Sequence, residues 1–287
     1  MVLPEISVVI PVRNGDRSIG ALLASLAAQS LAPERFEVIV VDNGSHDATG
    51  DTAASLGARV VYEAIPNRSR ARNAGARAAR ADLLAFTDAD CTVSPHWLEA
   101  LLECRGKAPL LAGKVRVTTG VPPGAVERFE LLWRFSQEAW VADGWAATAN
   151  LMVERRAFES VGGFDSAYRH IGEDADFCLR AGRAGFTLGY CDAAVVEHGA
   201  ERALAPLGRR AFFHGYSASQ VLHRVGVGHT AWRDLRPLLS PHAALAHVGI
   251  EARSVAPCER RKLSILASVT YACRVAGSLW AIVRRAT

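Results

Sequence analysis

Asp88 and Asp90 stand one residue apart, directly after an apolar run that is typical of a buried strand, Leu83 to Thr87. The carboxyl end of a parallel strand lies at the edge of the sheet where open α/β sheets bind their ligands. Mg²⁺ and Mn²⁺ prefer oxygen ligands and are often held by one or two carboxylates together with substrate phosphates. The pair therefore predicts a metal-assisted enzyme acting on a diphosphate-bearing substrate. Taken alone, two acids at this spacing are more often a solvated surface turn. The metal-site interpretation therefore depends on the motifs in the rest of the chain.

Two earlier strands end in polar residues that should face the same edge of the sheet. Ile6 to Val12 is followed by Arg13, and Phe36 to Asp42 ends in an acid. A carboxylate in that place can accept an N–H group from a pyrimidine base. Asp42 is equally suited to starting a turn, because Asn43-Gly44 follows it. The residue therefore predicts either a contact with a base or a turn.

Arginines are concentrated at the start of the third predicted helix, Ser69 to Ala79, where Arg70 and Arg72 lie. Arginine side chains and unpaired backbone N–H groups at a helix start suit a nucleotide phosphate or ribose. An exposed arginine-rich helix face is the alternative. Because no G-x-G-x-x-G follows the first strand, a dinucleotide fold of dehydrogenase type is not expected.

A second pair of acids, Glu173 and Asp174, begins the predicted helix Asp174 to Arg183. A carboxylate there is a candidate general base for an attacking hydroxyl group. The helix dipole should lower its pKa and keep it ionised at neutral pH. Charge complementarity at a helix start is the other interpretation of this pair.

The elements that must position these residues alternate between strand and helix from Ile6 to Thr87, with a helix at Ser18 to Gln29 and another after Asp47. Such βαβ units imply an α/β fold in which helices cover both faces of a Rossmann-like, mostly parallel sheet. The later pattern is looser. It predicts strands at Leu110 to Thr118, Ala147 to Val153 and Thr187 to Val196, helices at Val126 to Trp140 and Ala157 to Gly163, and mostly helix from Leu204 onward.

Composition limits the classes of partner and the cellular compartment that we expect for this protein. The 287 residues carry a net charge of +4 without a long basic run interleaved with aromatics, so no nucleic-acid partner is expected. The six cysteines form no C-x-x-C pair, which predicts reduced thiols and neither a zinc knuckle nor a disulfide framework. Met1 leads almost directly into a strand, so a cytoplasmic protein without a signal peptide is expected.

The stretch from Leu263 to Val283 contains a single charge, Arg274, and is long enough to span a membrane. Its polar residues fall on one narrow helical stripe, and basic residues flank it at Arg260 to Lys262 and at Arg284 and Arg285. An amphipathic helix is therefore favoured over a span. Docking on the protein's own body is ranked first and peripheral contact with the inner face of the cytoplasmic membrane, through residues 260–285, second.

The four N-terminal motifs together resemble the family-2 glycosyltransferases of the GT-A fold. They read Ile-Pro-Val-Arg-Asn at 10–14, Val-Val-Asp-Asn-Gly-Ser-x-Asp at 40–47, Ala-Arg-Asn-x-Gly at 71–75 and Asp-Ala-Asp at 88–90. Downstream, Val161 to Asp165 and Gly172 to Arg180 are similar to the acceptor-side segment of that family. The resemblance covers about residues 5 to 200, and it is specific as a combination of motifs.

The resemblance implies a nucleotide-sugar donor and a role for each matching residue. Asp42 would hold the uracil or other base with Pro11 and Arg13 nearby, and Arg72 would line the nucleotide pocket. Asp88 would reach the ribose or a metal-bound water.

On the reacting side, the resemblance implies that Asp90 ligates a divalent cation, Mn²⁺ or Mg²⁺, that bridges the diphosphate. Asp88 and His198 are further candidates for this metal site, His198 also for a phosphate contact. Asp174 would be the general base, with Glu173 beside it.

The function expected from the resemblance is transfer of a sugar from a nucleotide sugar, expected to be UDP-linked, to a hydroxyl of a glycan, lipid-linked or small-molecule acceptor. In-line displacement predicts inversion. The segment Arg180 to Phe186 lacks the tryptophan that follows an arginine in processive members, so a single transfer per encounter is expected. A sugar nucleotidyltransferase and a catalytically silent nucleotide-sugar-binding protein are the alternatives, and a homodimer is left open.

The predicted organisation has three parts. Residues 1–110 form the nucleotide-sugar-binding half of the GT-A domain, and residues 111–203 form its acceptor-binding half, which carries the base. Residues 204–287 form a helical C-terminal region.

Overall fold

The computed structural model describes residues 3–225 and 257–286. The first half of its helices and strands comprises β1 (Ile6–Val12), α1 (Ile19–Ala27), β2 (Phe36–Asp42), α2 (Thr49–Ser55), β3 (Arg59–Tyr62), α3 (Arg68–Ala78), β4 (Leu83–Phe86), β5 (Cys91–Val93) and α4 (Trp97–Cys104). The second half comprises β6 (Leu110–Thr118), α5 (Ala125–Trp133), α6 (Gln137–Ala142), β7 (Leu151–Glu154), α7 (Arg155–Ser160), α8 (Glu173–Arg183), β8 (Leu188–Gly199), α9 (Leu204–Val225) and α10 (Pro257–Ala286).

The strands form one eight-stranded sheet in the order β3-β2-β1-β4-β7-β6-β8-β5. The pairs β2/β3, β1/β2 and β1/β4 are parallel, whereas β7 runs antiparallel to β4 and β6, and β5 antiparallel to β8. The register aligns Val12 with Asp42 and Val9 with Phe86. The predicted α/β fold is confirmed, and the parallel part of the sheet ends with β4.

Helix α3 lies very close to the sheet, which fixes the place of the residues at its start. A side-chain carbon at Gly75 would come within 2.4 Å of Val9 Cγ1, so only glycine allows this approach. The next contact is made by Asn73, whose Nδ2 donates to the carbonyl of Phe164 at 2.8 Å while its Oδ1 accepts the Phe164 N–H at 2.9 Å. Phe164 is buried and meets Phe177 of α8 at 4.7 Å between ring centroids. The chain that leads into α8 is thereby attached to α3.

The chain divides into two compact units. Unit 1 comprises Met1–Arg116, Ser136–Arg169 and Glu173–His198 and contains nearly all of the sheet. Unit 2 comprises Val117–Phe135, His170–Gly172 and Gly199–Thr287, and α5, α9 and α10 are the helices in its described part. The predicted limits at residues 110 and 203 describe donor and acceptor halves, and they stay a prediction.

In unit 2, α9 packs along α10, and one end of this pair meets α5. Phe129, Leu207, Leu263, Leu266 and Ala267 form a small buried cluster. Beside the cluster, the buried carboxylate of Glu130 forms ion pairs with Arg134 and Arg210. The predicted docking of the C-terminal helix on the protein's own body is observed for the described part of α10, which packs on α9.

Three local predictions differ from the structure. The single helix predicted at Val126 to Trp140 is divided into α5 and α6, because Phe135 lies between them with φ of 56°, a value that a helix cannot contain. The strand predicted from Ala147 begins only at Leu151, after a 3₁₀ turn at Thr148–Asn150. Where one or two short strands were predicted from Thr187, one twelve-residue strand, β8, runs to Gly199.

The prediction that all cysteines are reduced is wrong for one pair. Cys104, at the end of α4, and Cys191, on β8, form a disulfide bond. They lie 87 residues apart in the sequence, and only the folded sheet brings them together. Cys91, Cys178 and Cys273 are free thiols.

Candidate active site

The D-x-D acids lie in the turn between β4 and β5, at the carboxyl end of β4. Asp88 is about one-third exposed, whereas the Asp90 side chain is 62% exposed. The backbone carbonyl of Asp88 accepts the Cys91 N–H at 3.1 Å, which closes the turn. The two carboxylates therefore have different surroundings, although only Ala89 separates them.

Arg72 connects Asp88 to the second pair of acids. Its guanidinium donates from Nη2 to Asp88 Oδ1 at 2.9 Å and from Nη1 to Glu173 Oε1 at 2.7 Å. The Arg72 side chain is only 3% exposed, and its Nε has no hydrogen-bond partner among the described residues. Arg72 of α3 thus joins the D-x-D turn to the start of α8.

The charge of Arg72 affects Asp88 strongly. Burial is the largest single influence and would raise the pKa of Asp88, but the charges of Arg72, Arg68 and His198 and the hydrogen bond from Arg72 together outweigh it. The pKa of Asp88 is therefore held below its usual range, and the carboxylate is ionised at neutral pH. Arg68, the first residue of α3, was missed from the sequence because the helix was expected to start one residue later.

Asp174 differs from its predicted state. The pKa of Asp174 is raised to about 7. Burial is the largest cause, and the charge of the neighbouring Glu173 carboxylate is the second. Arg72 and the hydrogen bond from the Ala175 N–H to Asp174 Oδ1, at 2.9 Å, act in the opposite direction. The expectation that the helix dipole lowers this pKa is wrong, because desolvation and a like charge outweigh the dipole. An acid with this pKa is well matched to proton transfer near pH 7.

A candidate metal site lies on the other side of the D-x-D turn. Within residues 3–225 and 257–286, Asp90, Cys91 and His198 form a group whose ligand atoms all lie within 4.8 Å of one another. β5 pairs with β8 so that Cys91 stands opposite His198, and His198 Nε2 lies 3.5 Å from Asp90 Oδ2. The structure therefore brings together two of the three predicted ligands.

The donor set fits a divalent cation with open coordination positions. Asp90 is largely exposed and His198 is buried, so an ion held between them could take further ligands from a substrate phosphate or water. Cys91 is a poorer ligand, because burial raises the pKa of its thiol and keeps it protonated. Asp88, the third predicted ligand, lies outside this group and is held by Arg72. Cys91 was not among the predicted ligands, because its place opposite His198 depends on the pairing of β5 with β8, and the spacing of residues in the sequence does not show that pairing.

Asp42 lies at the same edge of the sheet, two strands from β4. It is 8% exposed, and its Oδ1 accepts the Ser45 N–H at 2.9 Å. Asn43 holds the following loop by donating from Nδ2 to the carbonyl of Ile65 at 2.7 Å. The turn interpretation of Asp42 is therefore observed, and its contact with a base stays a prediction.

The remaining predicted donor-side residues lie at the end of β1. Pro11 is half-buried within the strand, and Arg13 is exposed just beyond it. Arg13 Nε donates to the carbonyl of Gly44 at 3.4 Å, which joins this strand end to the turn after β2. Pro11, Arg13 and Asp42 therefore share one corner of the site, next to β4.

Comparisons with known proteins identify the family. Residues 7–122 match the family described as Glycosyl transferase family 2, and residues 126–282 match Glycosyl transferase family group 2. The glycosyltransferase AglE of Haloferax volcanii is 29% identical over 231 residues, covering 76% of this chain and 74% of that protein. The pre-mycofactocin glycosyltransferase of Mycobacterium tuberculosis is 33% identical over 75% of this chain, which spans about half of that protein's length (47%).

Solved structures show the same fold. The mannosyltransferase PcManGT from Pyrobaculum calidifontis, in complex with GDP-Man and Mn²⁺, has a TM-score of 0.66 at 17% identity and covers 98% of this chain and 88% of its own. S. aureus TarS 1-349 in complex with UDP has a TM-score of 0.55 at 15% identity, with coverages of 99% and 92%. Together with the sequence matches, they show that this chain belongs to the family-2 glycosyltransferases and is a glycosyltransferase of the GT-A fold.

Proposed function

We propose that this enzyme transfers one sugar per encounter from a UDP-linked donor to an acceptor hydroxyl, with a divalent cation and with inversion at the anomeric carbon. The main support for this proposal is one set of hydrogen bonds. Arg72 is bonded at once to Asp88 of the D-x-D turn and to Glu173, the neighbour of Asp174. This bridge supports placing the candidate donor site and the candidate base in one active site.

The reaction needs a base on one side of the sugar and charge stabilisation on the other. The acceptor oxygen attacks the anomeric carbon while the bond to the β-phosphate oxygen breaks and its electron pair leaves with the phosphate. Asp174, when ionised, takes the proton of the acceptor hydroxyl. A cation held by Asp90 and His198 would offset the negative charge that develops on the departing diphosphate. Attack opposite the leaving group predicts inversion.

The choice of donor base is supported by the corner formed by Pro11, Arg13 and Asp42. A carboxylate at the end of β2 can accept the ring N–H of uracil. Among similar folds, TarS is described in complex with UDP and PcManGT with GDP-Man, so the fold itself admits both nucleotides. The UDP preference therefore has to be measured.

Donor hydrolysis by the purified enzyme tests the proposal. UDP-glucose, UDP-galactose, UDP-N-acetylglucosamine and GDP-mannose are each incubated with MnCl₂, and release of the nucleoside diphosphate is measured. Release of UDP from at least one donor, abolished by EDTA, is expected. Release of GDP alone would contradict the UDP assignment, and EDTA-insensitive release would contradict the metal requirement.

Replacing Asp90 with Ala should weaken Mn²⁺-dependent binding of UDP, because the exposed ligand of the candidate metal site is lost. We expect the Kd for UDP in the presence of Mn²⁺ to rise by about 10- to 100-fold, the loss seen when even a supporting residue of a metal site is removed. Isothermal titration calorimetry measures it, with His198→Ala as a second variant. Asp82→Ala, at a carboxylate that is 98% exposed, is the matched control. An unchanged Kd in Asp90→Ala would exclude Asp90 as a ligand.

The pH dependence of kcat/KM should reflect Asp174. Because the base must be ionised and the pKa of Asp174 is about 7, kcat/KM should rise with pH and reach half its maximum near pH 7. At pH 6 it should be about one-tenth of the plateau, since one pH unit changes the ionised fraction about tenfold below the pKa. Glu173→Gln removes one of the charges that raise this pKa, so the midpoint should move to lower pH. A flat profile between pH 5.5 and 8 would contradict the assignment of the base.

A further inference from the structure

Helix α10 packs on α9, and its buried residues combine apolar side chains, such as Leu266 and Tyr271, with small and polar ones. Among its buried residues are Ser264, Thr270, Gly277 and Ser278. Ser278 Oγ donates to the carbonyl of Gly215 on α9 at 2.9 Å, and a side-chain carbon at Gly277 would lie against the carbonyl oxygen of Phe212, at 1.9 Å. The two helices therefore approach closely at Gly277 and Ser278.

The opposite face of α10 is apolar and exposed. It consists of residues spaced so that they share one side of the helix, and this apolar stripe comprises Ile265, Ala272, Ala276, Leu279, Trp280 and Val283. Ile265 and Val283 are each 55% exposed, and Leu279 and Trp280 are each 49% exposed. From Ile265 to Val283 the stripe extends about 27 Å along the helix. An exposed apolar stripe of this length is typical of an interaction surface.

The charged residues of unit 2 indicate which kind of partner the apolar stripe binds. The acidic residues of unit 2 that the structure describes each form an ion pair with an arginine; they are Glu127, Glu130, Glu201 and Glu259. Basic residues are exposed at Arg261 and Lys262, directly before the stripe. A surface that combines an apolar stripe with exposed cations is complementary to an anionic lipid surface.

We propose that α10 docks unit 2 onto the surface of an anionic phospholipid bilayer, with the apolar stripe in the acyl boundary and Arg261 and Lys262 among the head groups. By length and composition, Arg261–Ala281 could also cross a membrane. Docking parallel to the surface fits the structure better, because α9 covers the other face of α10 and exposes Arg209, His214, His223 and Arg224, whose transfer into hydrocarbon is costly. Membrane docking is separate from the glycosyl-transfer proposal and needs no substrate.

Vesicle co-sedimentation of the purified 287-residue chain tests the proposal. Vesicles of phosphatidylcholine alone are compared with vesicles containing phosphatidylcholine and phosphatidylglycerol in a ratio of about 7 to 3, a strongly anionic surface. We expect the partition coefficient to be roughly tenfold or more higher on the anionic vesicles, in line with two basic residues near the surface. This difference should shrink at about 0.5 M NaCl, because salt screens the attraction to lipid.

A matched pair of variants locates the docking face. The triple change Ile265→Gln, Leu279→Gln and Val283→Gln should lower the partition coefficient at least about tenfold. The control Leu3→Gln with Leu56→Gln alters side chains of similar exposure in unit 1 and should bind as the unchanged chain does. Because all five positions are exposed, circular dichroism and thermal melting should match for both variants.

Three outcomes would overturn the proposal. In the first, the chain stays in the supernatant with both vesicle types, and in the second, the triple variant binds as well as the control. In the third, light scattering shows that the unchanged chain is a dimer and the triple variant a monomer, with no vesicle binding by either. That result would make the apolar stripe an interface between two copies of the chain.

Discussion

Asp174→Asn is expected to lower kcat by roughly 10²–10⁴-fold, the usual contribution of a positioned general base. Asparagine has the same shape and its Oδ1 can still accept the Ala175 N–H, so the start of α8 should be preserved. The change removes only the capacity to take a proton. Affinity for UDP with Mn²⁺ should be unchanged, because the candidate metal ligands Asp90 and His198 lie elsewhere in the site.

Stability distinguishes this loss from a folding defect. A carboxyl group whose pKa is raised on folding destabilises the folded state at pH values above its unfolded-state pKa, because there the unfolded chain can ionise it more readily. At about pH 8 the neutral amide in Asp174→Asn relieves this effect, so the Tm of the variant should equal or exceed that of the unchanged enzyme. Asp82→Asn, the same change at an exposed carboxylate, should alter neither kcat nor Tm. Near-normal turnover by Asp174→Asn would remove Asp174 from the mechanism.

The donor half could be predicted well because its signals are local. The strands β1 to β4 are short apolar runs separated by helices, and each was predicted to within about one residue of its observed bounds. Placing Asp42 and Asp88 at one edge followed directly from parallel pairing. The α/β fold and the glycosyltransferase family were therefore accessible from the sequence.

The electrostatic states could not be predicted, because they depend on contacts between distant residues. Arg72 was expected to line a nucleotide pocket, but the structure shows a buried side chain engaged by Asp88 and by Glu173, which is 101 residues away. The pKa of Asp174 depends on how deeply α8 is buried, and the sequence shows only its helix position. The Cys104–Cys191 disulfide likewise depends on where β8 lies in the sheet.

Arg72→Met should destabilise the enzyme and reduce its activity, because it leaves Asp88 and Glu173 without their shared cation. Removing one partner of a buried ion pair typically costs about 3–5 kcal/mol. Since Asp88 is about one-third exposed and can be partly hydrated, we expect the lower end, about 3 kcal/mol in the free energy of unfolding. Thermal unfolding should show a Tm lower by roughly 6–12 °C. Arg77→Met, the same change at an exposed position of α3, is the control.

Arg72→Lys separates the charge of Arg72 from its geometry. Lysine keeps the positive charge but lacks the two forked N–H groups that bond Asp88 and Glu173 at 2.9 and 2.7 Å. If Arg72 positions the acids, Arg72→Lys should recover most of the stability that Arg72→Met loses while kcat stays at least about tenfold low. If charge alone matters, kcat should recover with stability. A variant Arg72→Met with unchanged Tm and kcat would show that the bridge contributes to neither, and the link between the D-x-D turn and the base would then have no functional role.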